Sequence, residues 1–300
     1  MAESYSLGIV GYPVDHSLSP RIHKAALRDL GIKGDYDLYP IPPLPEGEQA
    51  LDELLNRIRQ GDLDGLNVTI PHKQSLLTKL DTLAATARAI GAVNTISRKE
   101  DRLVGDNTDS PGFLADLNRL GWSVLKDDNL HALVVGAGGS ARAVTYALAR
   151  AGWNVTVAAR QLESAQDLAE AIQFTVGRTR PVGGRDPITA IHLDKPALNI
   201  LTPSPHLIIN ATPLGMHPYE DQCPWPLEVP FPPEAAVYDL VYNPPETCLL
   251  KAAREAGLRA SNGLGMLIEQ AALSFTIWTG RTAPRDAMTA AVKEYLDEIK

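Results

Sequence analysis

A glycine-rich turn between an apolar run and an alanine-rich segment constrains the fold of this 300-residue chain most. The apolar run His131–Val135 predicts a buried parallel strand, and residues 140–151 predict a helix that packs small side chains on a sheet. The turn has the pattern G-x-G-x-x-A and comprises Gly136, Ala137, Gly138, Gly139, Ser140 and Ala141. Its first glycine permits a tight turn, its second lets a pyrophosphate approach, and its alanine lets the helix pack closely. The pattern therefore predicts a dinucleotide site at a helix N-terminus.

The second predicted strand of this unit indicates which dinucleotide is bound. A site for NAD usually has an acidic residue about 20 residues after the glycines, where it binds the ribose 2′-hydroxyl. This chain has Arg160 at the end of that strand instead. A guanidinium suits a 2′-phosphate, and one charge-assisted hydrogen bond is worth about 1.5–3 kcal/mol. The sequence therefore predicts NADP, with the alternative that Arg160 is only a solvated residue at a helix start.

Charge and composition exclude several classes of partner. The chain has 28 basic and 36 acidic residues, a net charge of -8, and no basic run, which argues against nucleic acid and anionic membranes. Its two cysteines, Cys223 and Cys248, form no CxxC or zinc pattern, and no histidine stands at metal-ligand spacing, so no metal is expected. Without a membrane-spanning stretch or a signal-peptide pattern, the expected location is cytoplasmic.

Alternating strand and helix patterns predict an α/β protein of two domains. The first hundred residues read as a small α/β domain, which includes a strand at 65–70, a helical stretch from Lys73 to Ile90 and a hairpin around residues 99–101. A Rossmann-like domain follows. Its predicted strands lie at 131–135, 154–158, 207–210 and 236–240. Two final helices, at 263–279 and 287–299, have no strand after them and are expected to pack back on the first domain.

Four polar clusters fall at the ends of strands or in loops of the first domain. They are residues 17–20, 67–73, 91–95 and 105–109. In open α/β sheets ligands bind at the carboxyl ends of strands, and hydroxyls, amides, one lysine and one aspartate suit a small polyhydroxylated ligand. Each cluster also has a simpler interpretation: Ser19 and Asp109 could cap helices, and Lys73 could be a solvated charge. Their joint placement favours a binding site.

These clusters resemble those of the shikimate dehydrogenase family, and the resemblance covers nearly the whole chain. It continues in residues 136–139, 210–213, 238–242 and 263–267, in the family's order and spacing. The resemblance implies NADPH-dependent, reversible reduction of 3-dehydroshikimate to shikimate, a step of aromatic amino-acid biosynthesis. It implies a substrate-binding catalytic domain of residues 1–110 and 264–300, and an NADP-binding domain of residues 111–263.

Carried over residue by residue, the resemblance implies three groups of site residues. Lys73 and Asp109 match the family's catalytic pair, with Lys73 as general acid and base. The implied substrate contacts are Ser17, Ser19, Thr69, Asn94, Tyr242 and Gln270. The implied cofactor contacts are Gly136, Ala137, Gly138, Gly139, Ser140, Ala141, Arg160, Leu240 and Gly263. The chemistry agrees, because a proton donor and a positive charge stabilise the negative charge that hydride transfer builds on a carbonyl oxygen.

One departure from the family pattern keeps alternatives open. The family usually has Asn-Arg-Thr at the second nucleotide strand and another arginine shortly after, whereas this chain has Ala159-Arg160-Gln161 and then Ser164. A weaker preference for NADP follows, and quinate dehydrogenases often use NAD. Quinate is therefore the rival substrate, although Ser19 favours shikimate, since threonine is common there in quinate enzymes. A nucleotide-binding sensor without catalysis is the other alternative, and a homodimer stays open.

Overall fold

Two compact units make up the computed structural model, which describes residues 4–122, 130–177 and 186–298. The first unit is Met1–Gly112 together with Leu267–Lys300, and the second is Phe113–Met266. Each described unit is built on one six-stranded sheet with helices packed against it. The predicted α/β fold class is therefore confirmed. Within the same described residues, no helix is long and apolar enough to cross a membrane.

The strands are numbered along the chain. Those of the first sheet are β1 (Ser4–Gly11), β2 (Lys33–Pro40), β3 (Gly65–Val68), β4 (Thr82–Leu83), β5 (Thr95–Lys99) and β6 (Arg102–Asp106). Those of the second are β7 (His131–Val135), β8 (Asn154–Ala159), β9 (Ile188–His192), β10 (Leu207–Asn210), β11 (Ala236–Asp239) and β12 (Arg259–Asn262).

The helices are numbered in the same way. They are α1 (Ser19–Asp29), α2 (Glu48–Gln60), α3 (His72–Ser75), α4 (Ala85–Ile90), α5 (Asp109–Arg119), α6 (Gly139–Arg150), α7 (Leu162–Val176), α8 (Lys195–Asn199), α9 (Cys248–Glu255), α10 (Leu264–Thr279) and α11 (Arg285–Glu298). A short 3₁₀ helix, Leu76–Thr78, follows α3 directly.

The first sheet is mixed and has the order β2-β1-β3-β5-β6-β4. β5 runs antiparallel to both of its neighbours, and the other pairs are parallel. The predicted hairpin is confirmed, because β5 and β6 pair directly. Helix α2 covers this sheet with Leu51, Leu54, Leu55 and Ile58, whose helical spacing puts one apolar stripe into the core.

The second sheet is parallel throughout and has the order β12-β11-β10-β7-β8-β9. β7 is its first strand in the chain, with β8 on one side and β10 on the other. All five β7 residues are buried, as expected when helices cover both faces of a parallel sheet. Small residues such as Ala141 and Val144 let α6 pack into this core.

The two C-terminal helices belong to the first unit, apart from the first turn of α10. Helix α11 packs on α1, where the Arg21 guanidinium lies 4.1 Å from the centre of the Tyr295 ring. In α10, Trp278 donates a hydrogen bond from Nε1 to the Ile96 carbonyl of β5 at 2.9 Å. The expectation that these helices pack back on the first domain is confirmed.

Two local predictions are wrong. The helical stretch expected from Lys73 to Ile90 is instead α3, the 3₁₀ helix, β4 and α4. The interpretation of Ser19 as a helix cap is wrong as well, because Ser19 is the first residue of α1, the capping position is Leu18, and the Ser19 N–H donates to Ser17 Oγ at 3.3 Å. The strands β9 and β12, at the two edges of the second sheet, were not predicted, because their partly exposed residues lack a clear apolar pattern.

The close approach of Trp278 to β3 gives a stability prediction. A Cβ added at Gly65 would lie 2.3 Å from Trp278 Nε1, so Gly65→Ala forces the indole out of its hydrogen bond. We expect the free energy of unfolding to fall by about 1–3 kcal/mol in urea titrations. Ser97→Ala, at the residue paired with Gly65 on β5, is the control and should change it by less than about 0.5 kcal/mol. Equal stability of Gly65→Ala and the wild type would contradict this packing.

Candidate active site

Strand direction gathers the polar clusters of the first unit at one edge of its sheet. β1, β3 and β6 end at this edge, and β5 begins there because it is antiparallel to its neighbours. The candidate residues stand just outside these strand ends. They are Ser17 and Ser19 after β1, Thr69 and Lys73 after β3, Asn94 before β5, and Asp109 after β6. Residues far apart in the sequence therefore share one edge.

A buried ion pair joins Lys73 to Asp109. Lys73 Nζ lies 2.6 Å from Asp109 Oδ2, and the two side chains are only 14% and 6% exposed. Helix α3 carries the lysine, whose own carbonyl accepts a hydrogen bond from Val93 N–H at 2.7 Å. The aspartate is the first residue of α5. Because both backbones are anchored, the pair is held in one geometry, with an ammonium donor beside a carboxylate in a largely dry site.

Asn94 and Gln270 extend this pair into a polar group. Asn94 Nδ2 donates to Asp109 Oδ1 at 2.8 Å and to Gln270 Oε1 at 3.2 Å. Gln270 lies on α10, which comes close to α5 at Gly112, where an added Cβ would be 2.8 Å from Gln270 N. Glycine is required at this crossing, since any side chain would push Gln270 away from Asn94.

Ser17, Ser19 and Thr69 lie where the loops after β1 and β3 run side by side. Thr69 N–H donates to the Val10 carbonyl at 2.9 Å, and Tyr12 N–H donates to the Ile70 carbonyl at 2.9 Å. Ser19 is buried, whereas Ser17 and Thr69 are half-buried. Three hydroxyls therefore stand at the same sheet edge as Lys73 and Asp109.

Several buried polar residues of this region were given no role from the sequence, although Asn67, Thr95 and Thr108 lie within the polar clusters described above. They are Tyr36, Asn67, Thr95, Thr108 and Ser274, and each bonds to another polar side chain of the region. Two signals could have found some of them. Asn67 is a polar residue inside the apolar strand β3, and Ser274 stands one helical turn after Gln270 on α10. Tyr36 gives no such signal.

The cofactor candidates meet at one edge of the second sheet. Because all its strands are parallel, the residues that follow them share the carboxyl edge. Residues 136–141 follow β7, Arg160 follows β8, Leu240 follows β11, and Gly263 follows β12. Tyr242, which the resemblance implies as a substrate contact, also follows β11 and belongs to the second unit, unlike the other implied substrate contacts. Leu240 and Gly263 are in close contact, since a Cβ added at Gly263 would lie 2.3 Å from the Leu240 carbonyl oxygen.

The turn after β7 fits a dinucleotide pyrophosphate. Gly136 has φ +117°, a conformation that favours glycine, and an added Cβ there would lie 3.1 Å from the Ala211 backbone after β10. The turn therefore lies between β7 and β10, at the topological switch point where the strand order of the sheet reverses. Gly138 precedes α6 with extended backbone, and an added Cβ would meet nothing within 4 Å. Open space thus lies over a helix N-terminus, which favours an anion.

A buried carboxylate supports the loop that carries Leu240 and Tyr242. Asp239 is fully buried and accepts hydrogen bonds from Thr247 Oγ1 at 2.6 Å, Asn210 Nδ2 at 2.8 Å and Val241 N–H at 3.0 Å. Burial raises its pKa to about 6, against the lowering effect of these three donors. The sequence patterns assigned no role to Asp239. Arg160, by contrast, is exposed, which leaves its guanidinium accessible to a ligand phosphate.

The described residues offer no metal centre. No three His, Cys, Asp or Glu side chains within the described ranges gather closely enough to hold a metal ion.

Comparisons of the sequence with known proteins give the same family near both ends of the chain. Residues 9–96 match the model of the shikimate dehydrogenase substrate binding domain, and residues 263–293 match that of the shikimate 5'-dehydrogenase C-terminal domain. The chain is 40% identical over 290 residues to shikimate dehydrogenase (NADP(+)) of Carboxydothermus hydrogenoformans, a match that covers 97% of each chain.

Solved structures show the same similarity. Shikimate 5-dehydrogenase of Thermus thermophilus, in complex with NADP(H) and shikimate, is 37% identical with a TM-score of 0.80, covering 97% of this chain and 99% of that one. Quinate dehydrogenase of Corynebacterium glutamicum, in complex with NAD, is 30% identical with a TM-score of 0.83, with the same coverage.

The raised pKa of Asp239 gives a prediction for the pH dependence of stability. Between 3.8 and about 6 the folded protein keeps a proton that the unfolded chain loses, so the free energy of unfolding falls as the pH rises through this interval. This contribution, about 3 kcal/mol at full extent, is absent from Asp239→Asn. The stability of the variant relative to the wild type should therefore increase between about pH 4 and pH 7. A relative stability that is the same at both pH values in urea titrations would contradict the raised pKa.

Proposed function

Since the chain belongs to the shikimate dehydrogenase family, we propose that it catalyses the reversible, NADPH-dependent reduction of 3-dehydroshikimate to shikimate. The observation that carries the proposal is the buried Lys73–Asp109 pair, held at 2.6 Å at a sheet edge lined by hydroxyls and amides. A pair of buried charges is costly to maintain for packing alone, so its retention favours a chemical role. The reaction would serve aromatic amino-acid biosynthesis.

Lys73 is proposed as the general acid and base. When bound, NADPH would supply the hydride to the carbonyl carbon, and negative charge would develop on the carbonyl oxygen. Lys73 Nζ stabilises this charge and transfers a proton to the oxygen, which gives the alcohol. In the oxidation direction Lys73 accepts the proton of the alcohol. Asp109 holds the ammonium through Oδ2, and it can accept a hydrogen bond from a substrate hydroxyl.

The substrate is proposed to bind through short-range donors, because the net charge of -8 does not attract an anion over a distance. Hydrogen bonds to its carboxylate and ring hydroxyls would come from side chains of two kinds, hydroxyl and amide. These are Ser17, Ser19, Thr69 and Tyr242, together with Asn94 and Gln270. The fixed positions of those in the first unit suit a rigid, polyhydroxylated ring better than a flexible ligand.

NADP is proposed as the cofactor. Residues 136–141 would hold its pyrophosphate at the start of α6, and Leu240 and Gly263 would contact it from the same sheet edge. Arg160 would hold the 2′-phosphate through its exposed guanidinium. In the family pattern a second arginine follows, but this chain has Ser164, whose hydroxyl bonds to Gln161 Oε1 at 3.4 Å.

Quinate oxidation with NAD is the second candidate function. It is favoured by the single arginine at the proposed 2′-phosphate site and by the similarity to a quinate dehydrogenase whose structure contains NAD. A nucleotide-binding sensor is disfavoured by the same ion pair that supports catalysis, since a sensor needs neither a proton donor nor its partner.

Removal of the Lys73 amine tests the proposed acid and base. Lys73→Ala should lower kcat for shikimate oxidation roughly 10²–10⁴-fold and leave the Kd for NADP within about twofold of the wild type, because the acid–base group is lost while the proposed cofactor contacts are unchanged. Lys79→Ala is the matched control: Lys79 lies in the same region of the sequence but forms ion pairs with Glu48 and Asp52. An unchanged kcat in Lys73→Ala would refute the assignment.

Removal of the Arg160 guanidinium tests the choice of cofactor. Arg160→Ala should raise KM for NADP about 10-fold or more and leave KM for NAD within about twofold, since only NADP carries the 2′-phosphate. Arg150→Ala, at an exposed arginine that ends α6, should change neither constant. An equal rise of KM for both cofactors would mean that Arg160 does not bind the phosphate.

A further inference from the structure

Six buried side chains of the first unit form one continuous chain of hydrogen bonds that ends at the Asp109 carboxylate. Each of these six residues, backbone included, is at most 4% exposed. In order they are Tyr36, Asn67, Ser274, Thr95, Asn94 and Asp109. The first four have no part in the proposed chemistry, so their arrangement calls for a separate explanation.

The start of this hydrogen-bond chain has a fixed direction. Tyr36 OH donates to Asn67 Oδ1 at 2.8 Å, because an amide oxygen has no proton to give. Asn67 Nδ2 donates to the Asn94 carbonyl and to Ser274 Oγ, both at 3.1 Å. Tyr36 is itself held by stacking on His23, with ring centres 4.5 Å apart, and burial lowers the pKa of His23 to about 3, which keeps that ring neutral.

The other end is equally fixed. Asn94 Oδ1 accepts the backbone N–H of Thr108 at 2.7 Å, and a backbone N–H can only donate. The Thr95 hydroxyl donates to the same oxygen at 3.0 Å. The Nδ2 group of Asn94 must therefore face Asp109 Oδ1, which it reaches at 2.8 Å. A reversed amide would place its oxygen against the carboxylate.

The middle of the chain joins these ends in the same direction. Thr95 has one hydroxyl proton, which it gives to Asn94, so Ser274 is the donor in the 2.7 Å contact between Ser274 Oγ and Thr95 Oγ1. Ser274 Oγ also lies 3.0 Å from the Gln270 carbonyl and 3.1 Å from Thr108 Oγ1, and both of these longer contacts compete for the same proton. When Ser274 donates to Thr95 through the shorter contact, each side chain from Tyr36 to Asn94 donates a hydrogen bond to the next one, in the direction of Asp109.

We propose that Thr95 and Ser274 are positioning residues: they lock the Asn94 amide so that its Nδ2 group holds Asp109 Oδ1, which leaves Oδ2 for Lys73. The proposal rests on the proposed function, since Lys73 and Asp109 are its acid–base pair. Hydrogen bonds aligned in one direction polarise and strengthen one another in a dry interior. The carboxylate is thereby held in the geometry that orients the lysine towards the reacting oxygen.

Substitutions at Thr95 separate the hydroxyl from its packing. Thr95→Val keeps the shape and removes the donor, and we expect kcat for shikimate oxidation to fall roughly 3- to 10-fold with KM for NADP unchanged. Thr95→Ser keeps the donor and should stay within about twofold of the wild type. Ser97→Ala removes another buried hydroxyl of β5, outside the hydrogen-bond chain, and should leave kcat unchanged. If Thr95 had only a structural role, Thr95→Val would lower the Tm but leave kcat unchanged at temperatures well below that Tm.

A double-mutant cycle tests whether Ser274 acts through Thr95. Ser274→Ala alone should lower kcat, by less than Thr95→Val does, because Thr95 retains its own proton. Added to Thr95→Val, it should lower kcat no further, since the path is already broken. Multiplicative effects of the two substitutions would overturn the proposed order. So would an unchanged kcat in Thr95→Val, which would leave Thr95 a merely structural role. An unchanged kcat in Ser274→Ala would overturn the part assigned to Ser274, since its proton would then go to the Gln270 carbonyl.

A second readout needs no substrate. The backbone N–H of Thr108 donates to Asn94 Oδ1, so this N–H loses its acceptor if the Asn94 amide is free to rotate. Thr95→Val should therefore speed hydrogen exchange at the Thr108 N–H several-fold, whereas Thr95→Ser and Ser97→Ala should not. Unchanged exchange would overturn the positioning role. A wild-type chain without shikimate activity would refute the proposed function while this readout still tests the hydrogen-bond chain.

Discussion

The structure of the first unit depends on the cost of burying two charges. Lys73 and Asp109 are mostly removed from water, which costs desolvation free energy. Their ion pair at 2.6 Å offsets that cost only if the remaining hydrogen-bond positions are filled. Asn94 fills one of them on Asp109, and the polar side chains behind Asn94 keep its amide turned the right way. The buried polar side chains that hold Asn94 are therefore a consequence of the ion pair between Lys73 and Asp109.

Sheet direction explains why these residues meet. In the first unit the antiparallel β5 starts where β1, β3 and β6 end, so Asn94 is placed beside side chains from three loops. In the second unit all strands are parallel, and the glycine turn, Arg160 and Leu240 follow strands that end at one edge. The same principle, that parallel strands present their carboxyl ends together, thus builds both candidate sites from short and separate sequence motifs.

Much of the fold was predictable from the sequence, because the residues that indicate each element are neighbours in the chain. The β7–α6 turn follows from its glycines and flanking apolar run, and the β5–β6 hairpin follows from alternation around residues 99–101. The edge strands β9 and β12 were missed because partial exposure removes the apolar pattern. The helix expected after Lys73 was wrong because tertiary pairing draws Thr82–Leu83 into a strand beside β6. The hydrogen-bond chain that joins Tyr36 to Asp109 could not be foreseen, since two directly bonded members, Asn67 and Ser274, are 207 positions apart in the sequence.

The measurement that tests the account most directly is steady-state oxidation of shikimate and of quinate by the wild-type chain, each with NADP and with NAD, followed by nicotinamide absorbance. We expect the highest kcat/KM for shikimate with NADP. A higher value for quinate or for NAD would contradict the proposed substrate or cofactor while leaving Lys73 and Asp109 in their roles. Nucleotide binding without turnover of any pair would contradict catalysis itself.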